Sequence, residues 1–299
     1  MKPAPFEYLR PKCLDEAIQY LSEYGEVAKI LSGGQSLIPL FNMRLATPEY
    51  VIDLNFVEEL NYIHVDEDKT KLHIGALTRH FEVEGSLLVQ EKCSLLAEAI
   101  RYVGHAQIRH RGTIGGSIAH ADPSAELPCV LSALRGDIVI TGTEGERVVK
   151  PEDFFLTHMI TVLEPTEMVK EVRFPVLSAN SGSAFLEFAR RHGDFALVEV
   201  AAVIEMGSND QITAARLAIG GTDPVPVVLE EVESFILGEQ PTEELFTEAS
   251  QKVGECIEPE DDAIHGSAAY KSRLAASLTE RALTIAAQKA KGGQRSEES

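Results

Sequence analysis

The chain has 299 residues, 44% of them apolar and 25% charged, a balance that excludes a mainly disordered protein. Folding a chain of this length hides about three-quarters of its extended surface, so a sizeable core forms without disulfides, and length alone allows about two domains. Acidic residues outnumber basic ones 47 to 27, and a formal charge of −20 argues against nucleic acid or anionic lipid as a main partner, a local basic pocket aside.

The first stretch alternates helical and strand patterns. Leu14, Ala17, Ile18 and Leu21 recur at helical spacing and predict an amphipathic helix from Leu14 to Tyr24. Val27 to Leu31 is a short apolar run that ends at Ser32-Gly33-Gly34, a buried strand meeting a turn. Tyr50 to Leu54 and Lys71 to Ala76 read as further strands, and Ser94 to Val103 as a helix. His105 to Pro128 is dense in Gly, His and small residues and predicts a long functional loop. Asp137 to Thr141 and Val169 to Phe174 return to strand character. Pro175 to Gly182 is the best linker candidate. Beyond it, Ala184 to Ala189, Ala196 to Met206 and Ile212 to Ile219 predict strands, followed by helices over Glu243 to Cys256 and His265 to Lys289. Strands followed by helices make an α+β arrangement.

Several chemistries are excluded. The cysteines, Cys13, Cys93, Cys129 and Cys256, form no CxxC pair, which disfavours zinc or iron–sulfur ligation in this chain and predicts reduced thiols. The opening MKPAPFEYLRPK has no apolar signal core, and no run of about 18 apolar residues occurs, so no membrane span is expected and the default location is cytoplasmic. GxGxxG after a strand, GxxxxGK[ST], HExxH and GxSxG are all absent. His105 and His110 lie on different sides of any helix and make a poor metal pair. Ser117, His120 and Asp122 are too close in sequence to converge as a hydrolase triad. No side chain is singled out as catalytic and none as a metal ligand.

Two glycine turns carry the chemistry that remains: Leu31-Ser32-Gly33-Gly34-Gln35-Ser36-Leu37 and Gly112-Thr113-Ile114-Gly115-Gly116-Ser117. Paired glycines permit close approach, successive backbone N–H groups form anion nests, and neighbouring hydroxyls add donors without filling space. Two such nests suit a ligand with two phosphates. Its identity stays open at this point.

The segments VAKILSGGQSLIPLFNMRLATPEYVIDLN and RHRGTIGGSIAHADPSAELP resemble the two signature segments of the FAD-binding medium subunit of molybdenum hydroxylases. That group includes the carbon monoxide dehydrogenase and xanthine dehydrogenase families. Ala189 to Ala196 (ARRHGDFA) resembles a third family segment, and the likeness covers nearly the whole chain. The resemblance implies an α+β fold: a two-lobed FAD-binding domain of the vanillyl-alcohol-oxidase (PCMH) type over residues 1–177, then a smaller domain over 178–290 like the carbon monoxide dehydrogenase flavoprotein C-terminal domain. That smaller domain would hold a three-stranded antiparallel sheet with helices, and residues 291–299 would fray.

Site roles follow from the same resemblance. Lys29, Ile30, Leu31, Ser32, Gly33, Gly34, Gln35, Ser36 and Leu37 would wrap the FAD pyrophosphate, mainly through backbone N–H groups. Thr113, Ile114, Gly115, Gly116 and Ser117 would form a second wall. Asp122 or Glu126 would accept from ribityl or adenosine hydroxyls. Phe195 would stack on the isoalloxazine, and Ala106 and Val169 would give backbone or apolar contacts. Ser32 stands where Ala is common, Ser117 where Asn is common, and Leu186 near where xanthine dehydrogenase has a lysine.

The implied role is electron transfer. A large partner subunit would hold the molybdenum cofactor and act on the substrate. A small partner would carry [2Fe–2S] clusters, and this chain would pass their electrons through FAD to an external acceptor, in a dimer of heterotrimers. The rival readings are a stand-alone FAD-dependent oxidoreductase with its own substrate pocket and a nucleotide-binding module without redox chemistry.

Overall fold

The structure, a computed structural model, describes residues 2–262 and 266–297. Two compact units interleave along the chain. The first comprises Met1–Ser86, His105–Ala121 and Gly136–Phe174, the second Leu87–Gly104, Asp122–Arg135 and Pro175–Ser299.

In chain order the elements begin β1 (Glu7–Leu9), α1 (Leu14–Tyr24), β2 (Ala28–Leu31), α2 (Leu37–Met43), β3 (Tyr50–Asp53), β4 (Ile63–Val65), β5 (Lys71–Gly75) and α3 (His80–Gly85). Next come α4 (Leu87–Lys92), α5 (Ser94–Ala99), α6 (Ala106–Arg109), α7 (Ile114–His120), α8 (Glu126–Leu134), β6 (Asp137–Gly142), β7 (Gly145–Val149) and α9 (Pro151–Phe154). Then follow β8 (Phe155–Thr157), β9 (Ile160–Thr161), β10 (Glu167–Pro175), β11 (Ser181–Phe188), β12 (Val198–Met206), β13 (Ile212–Gly220) and β14 (Val227–Val228). The last elements are α10 (Glu230–Ile236), α11 (Glu243–Cys256) and α12 (Ala268–Glu297).

The first unit holds a small sheet of order β1-β3-β2, a five-stranded sheet of order β4-β5-β10-β6-β7 and the β8–β9 pair. Helix α1 spans the residues its periodicity predicts. Its acidic first turn complements the helix dipole, and Ala17 and Leu21 bury against Ala28, Ile52 and Leu60. Strands β1 and β2 both run parallel to β3, and the register of Leu31 against Asp53 fixes where the first glycine turn leaves the sheet.

The second unit is built on an antiparallel sheet of order β11-β12-β13-β14. The three longer strands match the sequence expectation. The fourth, β14, is a two-residue edge strand too short to alternate visibly. Strand side chains point alternately to opposite faces. Val198, Val200, Ala202, Ile204 and Met206 pack with the core side chains of α10, α11 and α12. The opposite face brings Glu199 and Ala201 against Cys129 of α8. The covering helices α5 and α8 therefore come from sequence far upstream of the sheet they serve.

Two expectations change. The long loop over His105 to Pro128 is instead folded into α6, α7 and the start of α8. Helices of four and seven residues are too short to show a 3.6-residue period, and α7 is fixed by its cap: Thr113 Oγ1 accepts the Gly116 N–H at 3.2 Å. Helix α12 continues past Lys289 to Glu297, because propagating an existing helix adds a bond per residue against a glycine cost of about 1 kcal/mol. Its expected start at His265, and the tail residues 298–299, lie outside the described residues.

Candidate functional site: an anion cleft between two glycine turns

The two glycine turns, 81 positions apart, meet in the first unit: Ser32 Oγ lies 2.6 Å from Thr113 Oγ1. They meet without clearance. A Cβ on Gly33 would stand 2.5 Å from the Arg111 carbonyl oxygen and 2.8 Å from Gly112 Cα, so only glycine permits this contact. Gly34 has φ +72°, a left-handed conformation that costs other residues energy, and it turns the chain from β2 into α2.

The turns differ in what their backbone donors do. The second is braced from behind: Ile114 N–H donates to Thr78 O at 3.0 Å, Gly115 N–H to Ala76 O at 2.9 Å and Gly116 N–H to Thr113 Oγ1. In the first turn, the N–H groups of Gly33, Gly34, Gln35 and Ser36 donate to no acceptor among the described residues. Gly33, Gly34 and Gln35 line an open cleft of about 380 Å³, shared with Ile38, Asp53, Asn55 and Arg111, and Ser36 follows them in the turn. Free backbone N–H groups around a glycine turn, with a serine hydroxyl and a guanidinium beside them, form an anion-binding donor set.

Asp53 is the one carboxylate on this lining, and its oxygens are taken. Oδ2 accepts from Tyr8 OH, and Oδ1 accepts from the Asn55 N–H at 3.0 Å and from its side-chain amide. Beneath the second turn sits His80, whose N–H donates to Gly112 O at 3.0 Å. Its ring is buried with no standard hydrogen bond at either nitrogen among the described residues. Burial, then the charges of Arg109 and Arg79, outweigh the Thr113 carbonyl and push its pKa down to about 4.

The remaining sequence candidates fall in several places. Lys29, Ile30 and Leu31 form the body of β2, and Leu37 opens α2. Ser117 is half-buried on α7. Val169 is buried in β10 opposite Ile140, next to Lys170, whose carbonyl accepts from Ala76 and so links β10 to the brace behind Gly115. Ala106 is exposed on α6 and accepts from the His110 N–H at 2.9 Å. Asp122, Glu126 and Phe195 belong to the second unit. There Asp122 Oδ1 accepts from Ser124 N–H at 2.9 Å, and Glu126 starts α8. Phe195 lies on the loop before β12, 60% exposed. Near the two acids lies Glu199, fully buried, with neither carboxyl oxygen hydrogen-bonded among the described residues. Burial first, then the charges of Glu126, Glu187 and Asp122, push its pKa well up.

The sequence reading passed over Asn55, Arg79 and Arg111. The signal for Arg111 was its place beside Gly112. Asn55 follows the end of β3 by two residues, a position that gains meaning only once β3 is known to lie beside β2.

Comparison with known proteins is consistent with this geometry. Residues 4–177 match the family model described as the FAD binding domain in molybdopterin dehydrogenase, and residues 183–286 the CO dehydrogenase flavoprotein C-terminal domain. The chain is 35% identical over 97% of its length to the 6-hydroxypseudooxynicotine dehydrogenase complex subunit alpha of Paenarthrobacter nicotinovorans, covering 97% of that protein. Among solved structures, a carbon monoxide dehydrogenase from Hydrogenophaga pseudoflava superposes with a TM-score of 0.91 at 36% identity, covering 96% of this chain and 98% of that one. Quinoline 2-oxidoreductase from Pseudomonas putida 86 superposes equally well, with a TM-score of 0.91 at 36% identity over 97% of this chain and 99% of that one. The donor set of the cleft fits the diphosphate of FAD: unpaired N–H groups, a hydroxyl and a nearby guanidinium, on a turn held against its neighbour where a Cβ at Gly33 would not fit. The chain belongs to the family of FAD-binding medium subunits of molybdenum hydroxylases, and it is an oxidoreductase flavoprotein subunit.

Proposed function

We propose that this chain is the electron-transfer subunit of a molybdenum-containing hydroxylase. It takes electrons from [2Fe–2S] clusters on a small partner and passes them to an external acceptor, while a large partner holds the molybdenum cofactor and the substrate. The observation that carries this reading is the set of unpaired N–H groups at Gly33, Gly34, Gln35 and Ser36, in a region matching an FAD-binding family. FAD, when bound, supplies the redox centre. The chain's own residues bind and orient. The first glycine turn would donate to the diphosphate, the Thr113–Ser117 turn would hold that loop in place, and Arg111 would balance negative charge. Asp122, Glu126, Phe195, Ala106 and Val169 are the candidates for the rest of the cofactor. The division into a FAD domain over 1–177 and a C-terminal domain over 178–290, a dimer of heterotrimers and a cytoplasmic location belong to the same proposal. Among the described residues no helix is long and apolar enough to cross a membrane.

The test is purification of the native complex by a tag on this chain. Flavin and iron–sulfur absorbance together, with molybdenum by elemental analysis, are expected. A complex without flavin overturns the reading. A flavin-bearing chain without partners that oxidises a substrate alone establishes the stand-alone alternative.

A further inference from the structure

Arg79 is anchored to the second glycine turn by its backbone. It forms an isolated antiparallel bridge with Thr113, its N–H donates to Glu82 Oε2 at 2.8 Å, and the next residue donates to Gly112 O. Its side chain leaves that anchor and forks. Nη1 donates to the Arg111 carbonyl, the same oxygen against which Gly33 packs. Nη2 donates to Asn55 Oδ1, and Asn55 Nδ2 in turn donates to the Ser32 carbonyl at 2.9 Å. Both ends of the relay therefore terminate on the turns. Burial and the adjacent Arg111 charge hold the Arg79 pKa below the usual guanidinium range, yet a guanidinium stays charged in proteins.

We propose that Arg79 is a positioning residue for FAD: through Arg111, Asn55 and Ser32 it sets the distance between the two glycine turns, and so aims the free N–H groups of Gly33 to Ser36 at the diphosphate. This inference rests on the FAD reading above. Direct links between the turns are the Ser32–Thr113 hydroxyl contact and the bare packing of Gly33 on Arg111. A hydroxyl pair alone leaves the turns free to hinge. A planar fork with two fixed donors adds a second point of attachment on a different axis, which a lysine with one flexible ammonium cannot reproduce.

The test uses the full chain stripped of flavin and titrated with FAD and, separately, with ADP, which shares the diphosphate but lacks the flavin. Arg79→Met is expected to weaken both ligands alike by at least about tenfold, about 1.4 kcal/mol. Arg79→Lys is expected to recover part of that loss. Asn55→Ala is expected to weaken both ligands, and adding it to Arg79→Met should cost little more, because one relay is broken once. If Arg79→Met does not fold, Arg79→Lys and Asn55→Ala decide. Wild-type affinity in the folded Arg79 variants, fully additive losses, or loss of FAD without loss of ADP each overturn the positioning role. A wild-type chain and complex that bind neither ligand overturn the FAD reading and this inference with it.

Discussion

Gly33→Ala is the sharpest perturbation of the cleft. The added Cβ would stand 2.5 Å from the Arg111 carbonyl oxygen and 2.8 Å from Gly112 Cα, both backbone atoms that cannot rotate away. Restoring ordinary contact near 3.5 Å moves the turns apart by roughly 1 Å. That opening stretches the 2.6 Å Ser32–Thr113 contact beyond hydrogen-bond range. The lost hydroxyl bond costs about 1 kcal/mol, and misaiming two charge-assisted N–H bonds to a phosphate costs roughly 1.5–3 kcal/mol each. The hydroxyl bond is lost with or without ligand and so lowers stability, while the two phosphate bonds, about 3–6 kcal/mol together, correspond to at least about a hundredfold loss of FAD affinity. The assay is quenching of flavin fluorescence on titration into the stripped chain, with circular dichroism to confirm folding. Gly85→Ala is the control, since a Cβ there meets nothing within 4 Å. A folded Gly33→Ala chain that binds FAD within threefold of wild type would refute the close-approach argument.

Other outcomes follow from neighbouring groups. Thr113→Val removes the acceptor of the Gly116 N–H and should lower stability by about 1–3 kcal/mol in urea unfolding, with Thr113→Ser recovering most of it. His80 has a folded pKa near 4 against an unfolded value of 6.5, so the unfolded chain binds the extra proton between those values. Stability should therefore fall as pH drops from about 6.5 to 4, by about 3 kcal/mol, and His80→Leu should flatten that slope in a melting series. Glu199 is shifted the other way. Its contribution is present below the unfolded carboxyl pKa and declines as pH rises above it, so Glu199→Gln should raise the melting temperature at pH 8 more than at pH 4. Removing FAD from a chain held at a hundredfold excess over its dissociation constant should cost about 2.7 kcal/mol, seen as a drop of several degrees in melting temperature; an unchanged melt would argue against a folded-state flavin site.

Local pattern made much of the fold legible. Helices α1 and α11 span the residues that their periodicity and flanks mark, and the long strands β12 and β13 show as apolar runs bounded by turn residues. Interleaving was invisible. Helices α5 and α8 cover a sheet whose strands begin near residue 181, and no composition shift at residues 87, 104, 122 or 135 announces a change of unit. The stretch over 105–128 failed as a loop because its helices are short and fixed by tertiary partners, such as the Thr78 and Ala76 carbonyls that receive Ile114 and Gly115. Those partners lie about 36 to 39 positions upstream, beyond any local window.

The two glycine turns look equivalent in sequence, each a Gly-Gly pair beside small hydroxyl residues, and the structure makes them unequal. In the second, tertiary acceptors take the backbone donors. Gly115 is glycine because its Cβ would stand 2.4 Å from Ala76 Cβ, so its role is packing. In the first, the donors face a cleft, and the same residue type serves close approach and ligand access. An unpaired N–H costs free energy unless water or a ligand receives it. A loop that leaves several such groups unpaired side by side needs a rigid neighbour to keep its shape. The braced turn is that neighbour, since it touches the open one at Gly33 and at the Ser32–Thr113 contact. On the proposed function, the first glycine pair binds and the second braces it, a distinction set largely by the Thr78 and Ala76 carbonyls, which neither segment contains.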